Sequence, residues 1–157
     1  RYGGNIRVFM GKNDTNKNFD NLFKKEESFF KELKETQRKI KNWKSKKTKQ
    51  INQLNKKYGP LPAKAFPGRA AILIKLLNLN KNNIFASYEK PNSKKIGYYI
   101  PGTKIPILND NKLRKKINKN IPIINLAWHI KDEIKKYLKI QKIHNRIVNI
   151  IDKKDFI

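Results

Sequence analysis

The strongest constraint on the fold is an alternation of short apolar segments with amphipathic segments along residues 58–157. The apolar segments are short enough for strands, and the segments between them have the apolar spacing of helices about ten to fifteen residues long. Parallel strands need such a crossover, because a tight turn can join only antiparallel neighbours. The alternation therefore predicts βαβ units, with helices covering a parallel sheet.

The predicted class is α/β, a Rossmann-like parallel sheet with flanking helices, preceded by a short strand and a long basic helix. Residues 58–68 are rich in Gly and Pro and are predicted as a turn that leads into the first helix of the sheet region. The predicted strands lie at residues 84–88, 104–108, 122–127 and 146–151, and the predicted helices at residues 69–77, 110–118 and 130–143.

A long stretch before the sheet, residues 19–57, contains neither Gly nor Pro. Its apolar residues recur mostly three, four or seven positions apart, which predicts an amphipathic helix with a lysine-coated outer face. Lysines crowd together between Trp43 and Ile51, so we expect the helix to bend or break there. Before this helix, residues 6–10 predict a strand and residues 11–18 a polar loop.

Charge suggests a polyanionic partner. The formal net charge is +26, but lysine outnumbers arginine 32 to 6 and is spread over every segment. Arginine is the side chain that makes bidentate contacts to phosphates and bases, so its scarcity argues against a dedicated nucleic-acid groove. A lysine-rich nucleic-acid-binding module remains the alternative function and is not favoured. A partner-binding or coiled-coil arm at residues 19–57 is a third hypothesis, which the interrupted apolar spacing disfavours.

The sequence lacks the residues that several kinds of catalytic and metal-binding site require. The chain has no cysteine, which excludes disulfides, a cysteine nucleophile and a thiolate zinc site within these residues. We find no Ser-His-Asp pattern, paired carboxylates or His-rich metal spacing, so the catalytic residues are unknown and no metal is predicted. The longest apolar segments are about half the roughly 20 residues that cross a bilayer. We expect a cytoplasmic protein without a membrane partner.

Strand ends mark where ligand chemistry is expected. In open parallel sheets, ligands bind beyond the carboxyl ends of the strands, where helix N-termini present free N–H groups. The turn at residues 58–68 contains Lys64 and precedes Arg69, and it could hold a phosphate. Glu89 follows the predicted strand 84–88, where an acid can accept hydrogen bonds from a ribose. A sharp turn and a turn-stabilising acid are the structural alternatives.

Two further places qualify. Pro101-Gly102-Thr103 is a tight turn that would offer exposed backbone N–H groups and the Thr103 hydroxyl. Trp128 and His129 follow the predicted strand 122–127, and His129 could serve as an acid/base or as a hydrogen-bond donor to phosphate. A plain turn and a helix-capping or packed histidine are the structural alternatives.

Three segments carry a resemblance to a known family. They are Tyr58-Gly59 with Pro62-Ala63-Lys64-Ala65, then Y-I-P-G-T-K-I-P-I at residues 99–107, then L-A-W-H-I-K-D-E-I at residues 126–134. In this order they resemble the C-terminal domain of S-adenosylmethionine-dependent nucleotide-sugar C-methyltransferases. That family has approximately Y-G-A-P-A-K-[GA], P-G-T-x-I-P-[IV] and L-P-W-N-x-K-[DE]-E-I. Residues 3–8, G-G-N-I-R-V, resemble the strand that closes the family's methyltransferase domain.

The resemblance implies a three-part enzyme that moves a methyl group from S-adenosylmethionine to a ring carbon of a nucleotide-linked keto sugar. A zinc-binding module and a central domain that binds the methyl donor would lie upstream, together with the main catalytic base. Residues 1–18 would end the methyltransferase-like domain, residues 19–57 would connect, and residues 58–157 would form the Rossmann-like C-terminal domain. We expect this chain alone to be inactive, with the nucleotide-sugar and the upstream domains of the same polypeptide as its partners.

The resemblance and the strand ends together select the candidate substrate-binding residues, which are Tyr58, Gly59, Ala63, Lys64, Glu89, Pro101, Gly102, Thr103, Trp128 and His129. Some positions depart from the family pattern. His129 stands where the family has Asn, and Glu89 with Lys90 replaces the family's Asp and Arg. Residues 53–57, Q-L-N-K-K, replace an apolar strand of the family. These departures leave open the alternative that the domain no longer binds a nucleotide-sugar and is retained for a structural role.

Overall fold

The computed structural model describes residues 10–11 and 20–156. It divides into two units, Arg1–Arg38 and Lys39–Ile157. From residue 20 onward the chain first forms two helices, α1 at Asp20–Glu27 and α2 at Phe29–Tyr58. The predicted strand 6–10 and loop 11–18 fall almost entirely outside the described residues, and the predicted division into three domains stays a prediction.

The second unit contains one parallel sheet of five strands in the order β3-β2-β1-β4-β5. The elements are β1 at Leu61–Lys64, α3 at Ala70–Leu76, β2 at Ile84–Glu89, β3 at Ile107–Asn109, α4 at Asn111–Lys116, β4 at Ile123–Asn125, α5 at Lys131–Ile140 and β5 at Ile147–Asn149. This order confirms the predicted α/β class. The strand order reverses between β1 and β4, which defines the topological switch point of the sheet.

Strand β1 lies at the centre of the sheet, and all four of its residues are buried. Ala63 pairs with Ser87 of β2 on one side and with Ile124 of β4 on the other. Pro62 has no N–H to donate, and a shift of register between Leu61 and Pro62 accommodates it beside β2. The sequence interpretation of residues 58–68 as a turn was wrong, because its Pro and Gly residues concealed this four-residue strand.

Helices cover both faces of the sheet. On one face, α2 and α3 pack on the strands through Trp43, Ile51 and Ile74. On the other face, α4 and α5 pack through Leu113 and Leu138. The helices are shorter than predicted, and β3 begins three residues later than the predicted strand 104–108 because Pro106 bridges antiparallel to Tyr99 just before it.

Helix α2 is continuous through its lysine-rich stretch, so the expected interruption between Trp43 and Ile51 is absent. The chain instead leaves helical geometry at Ser28, between α1 and α2. The buried stripe continues because Lys47 occupies the position between Trp43 and Ile51. Its ammonium group donates to the carbonyl of Asn149 at 3.1 Å and lies 3.4 Å from Asp155. A buried lysine with these partners replaces the missing apolar residue.

The packing of α2 on the sheet is testable with two matched isoleucines. Ile51 of α2 is 1% exposed and Ile72 of α3 is 63% exposed. We expect Ile51→Ala to lower the free energy of unfolding by about 3 kcal/mol, since it leaves a cavity in the core. Ile72→Ala should change it by about 0.5 kcal/mol or less. Urea unfolding measures both, and equal losses would contradict this packing of α2.

Candidate functional site

The loop after β1 lies at the switch point and is closed by the protein's own groups. The backbone N–H of Phe66 donates to Glu89 Oε1 at 2.8 Å. Lys95 Nζ donates to the Phe66 carbonyl at 2.6 Å and lies 3.7 Å from Glu89 Oε1. Ala65 has a φ of 60°, a left-handed conformation that is strained for a residue with a Cβ. One carboxylate oxygen of Glu89 is therefore already engaged in holding this loop.

A buried charged cluster joins β1 to both helices of the opposite face. Lys64, the last residue of β1, is 1% exposed, and its Nζ lies 2.6 Å from Asp110 Oδ2. The Tyr137 hydroxyl of α5 donates to the same oxygen at 2.7 Å. The ammonium groups of Lys64 and Lys90 each lie 4.7 Å from the centre of the Tyr137 ring, within the range of a cation–π interaction.

Burial sets the titration of this cluster. Loss of hydration lowers the pKa of Lys64 below its ordinary value, although the hydrogen bond and charge of Asp110 act in the opposite direction. Burial raises the pKa of Tyr137 far above its ordinary value, and the hydrogen bond to Asp110 raises it further. The 2.6 Å contact with Asp110 engages the Lys64 amine inside the protein.

A pocket of about 390 Å³ opens beyond the carboxyl ends of β4 and β5. Its walls come from the residues that follow β4 and from those that follow β5. Both segments contain a 3₁₀ turn, Trp128–Ile130 and Lys153–Phe156. The lining residues are Trp128, His129, Lys131, Asp132, Glu133, Ile151, Asp152, Lys153 and Phe156.

The floor and the rim of this pocket differ in chemistry. Trp128, Ile151 and Phe156 pack against the hydrophobic core and form an apolar floor. The His129 ring meets the Trp128 ring edge to face, with centroids 5.3 Å apart. Ammonium groups and carboxylates both line the rim. Such a combination suits a ligand with a flat ring, an anionic group and hydroxyls.

A chain of amides leads from the sheet to this pocket. Asn125 Nδ2 donates to Asn149 Oδ1 at 2.9 Å, and Asn149 Nδ2 donates to Asp152 Oδ2 at 2.9 Å. Lys131 Nζ lies 3.5 Å from the same Asp152 oxygen. The hydrogen bond from Asn149 is the main cause of the lowered pKa of Asp152. Asp152 is therefore held ionised in the pocket wall, pointing in a direction that the sheet determines.

The structure separates the predicted site residues between the two edges of the sheet. Lys64, Glu89, Trp128 and His129 lie at the carboxyl edge. Ala63 is fully buried within β1 and presents no side chain to either edge.

The other predicted residues lie at the amino edge. Tyr58 and Gly59 come just before β1. Pro101, Gly102 and Thr103 precede β3, and Gly102 and Thr103 line a groove with residues 80–82, which precede β2. The Thr103 hydroxyl donates to the Ile100 carbonyl at 2.8 Å and so stabilises its own turn. No single pocket unites the ten predicted residues, and their roles stay predictions.

Sequence reasoning missed Asp110, Tyr137, Asn149 and Asp152. One signal was present, because β3, β4 and β5 each consist of two aliphatic residues followed by Asn. An asparagine at the end of a short apolar run marks the carboxyl edge. Asp110 and Tyr137 meet Lys64 only through the fold, since 27 residues or more separate the members of this cluster.

The structure is a Rossmann-like domain with a pocket beyond the carboxyl ends of two strands of its parallel sheet. The family model for the C-methyltransferase C-terminal domain matches residues 1–151, so the chain belongs to this family. A search of the curated proteins finds no match. No helix within residues 20–156 is long and apolar enough to cross a membrane. The same described part contains no group of three or more His, Asp or Glu residues placed to bind a metal ion.

The first test of the site concerns Asp110. We expect Asp110→Ala to lower the free energy of unfolding by about 3–5 kcal/mol, because it leaves the Lys64 ammonium buried without its counter-ion. Adding Lys64→Met should recover part of this loss. Asp132→Ala, at an exposed carboxylate of α5, should cost about 0.5 kcal/mol or less. If chemical denaturation gave Asp110→Ala and Asp132→Ala the same midpoint, the buried pair would be refuted.

The second test concerns Tyr137 and alkaline pH. Below the ordinary tyrosine pKa of 10.0 the phenol is protonated in both states, and its contribution to stability is fully present. Above it, the unfolded chain releases this proton while the folded protein retains it, so stability falls as pH rises. We expect Tyr137→Phe to show a shallower fall between about pH 9 and pH 11.5 in urea unfolding. Tyr98→Phe, at a residue that is 67% exposed, should keep the original slope. Identical slopes in both variants would contradict the raised pKa.

Proposed function

We propose that this chain is the substrate-side domain of a C-methyltransferase that acts on a nucleotide-linked keto sugar. The observation that carries the proposal is the pocket beyond β4 and β5. One wall comes from the segment L-A-W-H-I-K-D-E-I, which resembles the corresponding family motif and contributes Trp128, His129, Lys131, Asp132 and Glu133 to the lining. Ligands of Rossmann-like sheets bind at this edge.

Each part of a nucleotide-sugar has a chemical counterpart in the pocket. A base or sugar ring can stack on Trp128 above the apolar floor. Lys131 and Lys153 can neutralise a diphosphate, and His129 can donate a hydrogen bond to it. Asp152, kept ionised by Asn149, can accept hydrogen bonds from hydroxyls. The domain would thereby bind and orient the sugar for chemistry performed elsewhere in the polypeptide.

The methyl donor of this proposed reaction is S-adenosylmethionine, and we propose that it binds mainly outside residues 20–156, in an upstream domain. The loop after β1 is where such a sheet would receive a nucleotide-like cofactor. Here that loop has the sequence Ala65-Phe66-Pro67-Gly68, without a glycine-rich phosphate pattern. The Phe66 amide is already bonded to Glu89. The described residues therefore do not fit the donor at this position.

A general base and an oxyanion-stabilising group are required to form and stabilise the enolate of a keto sugar. None of the described residues is assigned to either task. The contribution of this domain is positional, since a ring carbon held in line with its methyl donor loses less entropy on reaction. A substitution in the pocket should accordingly weaken substrate binding and raise KM.

Binding of nucleotide-sugars to the intact protein tests the proposal. We expect uridine or thymidine diphosphate-glucose to bind, and Trp128→Ala to weaken the binding about tenfold through lost stacking. Tyr98→Ala removes an exposed aromatic residue away from the pocket and should leave affinity unchanged. Isothermal titration calorimetry gives both constants. Absence of binding, or equal affinity in the protein and in Trp128→Ala, would reject the pocket as the substrate site.

His129 and Lys64 distinguish a ligand contact from a structural role. His129→Ala should raise KM in the intact enzyme with only a small loss of stability, since the residue is exposed and contacts the Trp128 ring at its edge. Lys64→Ala should raise KM together with a loss of stability, because its amine is buried in the cluster with Asp110. Unchanged kinetics and substrate binding in both variants would remove these residues from the site.

A further inference from the structure

The outward face of α2 is a surface made of hydrogen-bond donors. The residues of this surface, which we call the lysine face, are Lys41, Lys44, Ser45, Thr48, Lys49, Asn52, Gln53 and Lys56. It lies on the side of α2 opposite the buried stripe of Trp43, Lys47 and Ile51. The Trp43 indole N–H donates to the Ile150 carbonyl at 3.2 Å, so the helix behind the face is tied to the sheet.

The lysine face is distinguished by its lack of acid. The sequence contains no Asp or Glu between Glu35 and Glu89, while 13 Lys and Arg residues occur in the same interval. Residues 29–38 of the same helix are also basic, but they include Glu32 and Glu35, and Arg38 pairs with Glu35 at 2.7 Å. A general excess of lysine does not explain why carboxylates stop at this point of α2. The positive field of the lysine face is therefore not neutralised from within its own helix.

The dimensions of the lysine face suit a linear polyanion. At 1.5 Å per residue, the distance along the helix from Lys41 to Lys56 is about 22 Å. Duplex DNA rises about 3.4 Å per base pair, so this length corresponds to about six base pairs. Lys, Ser, Thr, Asn and Gln are among the side chains that donate to phosphate oxygens in protein–DNA complexes. All eight residues of the lysine face belong to these types.

The composition of the face also selects among polyanions. It has no aromatic residue on which unpaired bases could stack, as proteins that bind single strands commonly use. It has no apolar residue to insert into a lipid surface. It has no arginine for bidentate contacts to guanine. An α-helix fits the major groove of B-form DNA, whereas the major groove of duplex RNA is too narrow for it.

We propose that the lysine face binds the sugar-phosphate backbone of duplex DNA independently of base sequence. This interaction is separate from the pocket beyond β4 and β5. Net charge alone suggested a nucleic-acid partner for the whole chain, and the proposal assigns that partner to one face of α2. Its four lysines should release counter-ions on binding, with a slope of log K against log salt of about −3 to −4.

The test compares two variants of equal charge in the intact protein. The first replaces Lys41, Lys44, Lys49 and Lys56 with Gln, and the second replaces the exposed lysines Lys112, Lys119, Lys135 and Lys139 with Gln. Fluorescence anisotropy with a labelled 24-base-pair duplex of mixed sequence measures affinity from about 50 mM to 200 mM salt. We expect the first variant to bind about a hundredfold more weakly at low salt, with a slope reduced by about three. The second should retain most of the affinity and of the slope.

Three results would overturn the proposal. Equal losses in the two variants would show that net charge alone attracts DNA. Tighter binding of a single strand or of duplex RNA of the same sequence would replace the proposed partner. Displacement of DNA by polyglutamate at equal charge concentration would indicate a surface for acidic protein. Circular dichroism of both variants checks that α2 stays helical. If the first variant loses helix, the double variant Lys41→Gln/Lys49→Gln replaces it in the anisotropy measurement.

Discussion

The buried ion pair between Lys64 and Asp110 organises the carboxyl edge of the sheet. Lys64 ends the central strand, Asp110 precedes α4, and Tyr137 from α5 bonds to the same carboxylate oxygen. Removing either charge from water is costly, so the pair requires this geometry and the extra hydrogen bond from Tyr137. In return, three elements that are distant in sequence are held at one point. The loop after β1 begins at the next residue, so the position of the switch point depends on this contact.

The two halves of the carboxyl edge differ in how their polar groups are used. Around β1 and β2, polar groups satisfy one another, as the bonds among Phe66, Glu89 and Lys95 show. Around β4 and β5, the amides of Asn125 and Asn149 instead direct Asp152 into an open pocket. The half around β1 and β2 is closed by its own hydrogen bonds, whereas the half around β4 and β5 has room for a ligand. The proposed substrate site therefore lies beside the switch point, between the segments that follow β4 and β5.

Periodicity predicted most of the fold, because burial on one helical face or in a two-sided sheet leaves a regular apolar pattern. It failed at β1, where Gly59, Pro60 and Pro62 suggested a turn and only tertiary pairing reveals the strand. It failed again in α2, because Lys47 is buried through partners that lie about a hundred residues away.

The site divides in the same manner. Motif resemblance selected Trp128 and His129, which line the pocket. The contacts of Asp110 with Lys64 and Tyr137 depend on the fold and leave no local pattern in the sequence. Tyr58 and Gly102 were selected by the same resemblance but lie at the amino edge of the sheet, away from this pocket, and their role in substrate binding stays a prediction. Family membership and the position of a side chain are separate pieces of information.

Buried Lys47 has a consequence for how α2 finds its place. The stretch Lys44–Lys49 has the sequence K-S-K-K-T-K, in which neighbouring turns of helix offer nearly interchangeable side chains. Apolar contacts alone would resist rotation or sliding of such a helix only weakly. Trp43 and Lys47 donate hydrogen bonds to the carbonyls of Ile150 and Asn149, and both bonds can form in only one alignment of α2 against the sheet. Buried Lys47, surrounded in sequence by exposed lysines, thus fixes the rotation and the register of α2 against the sheet.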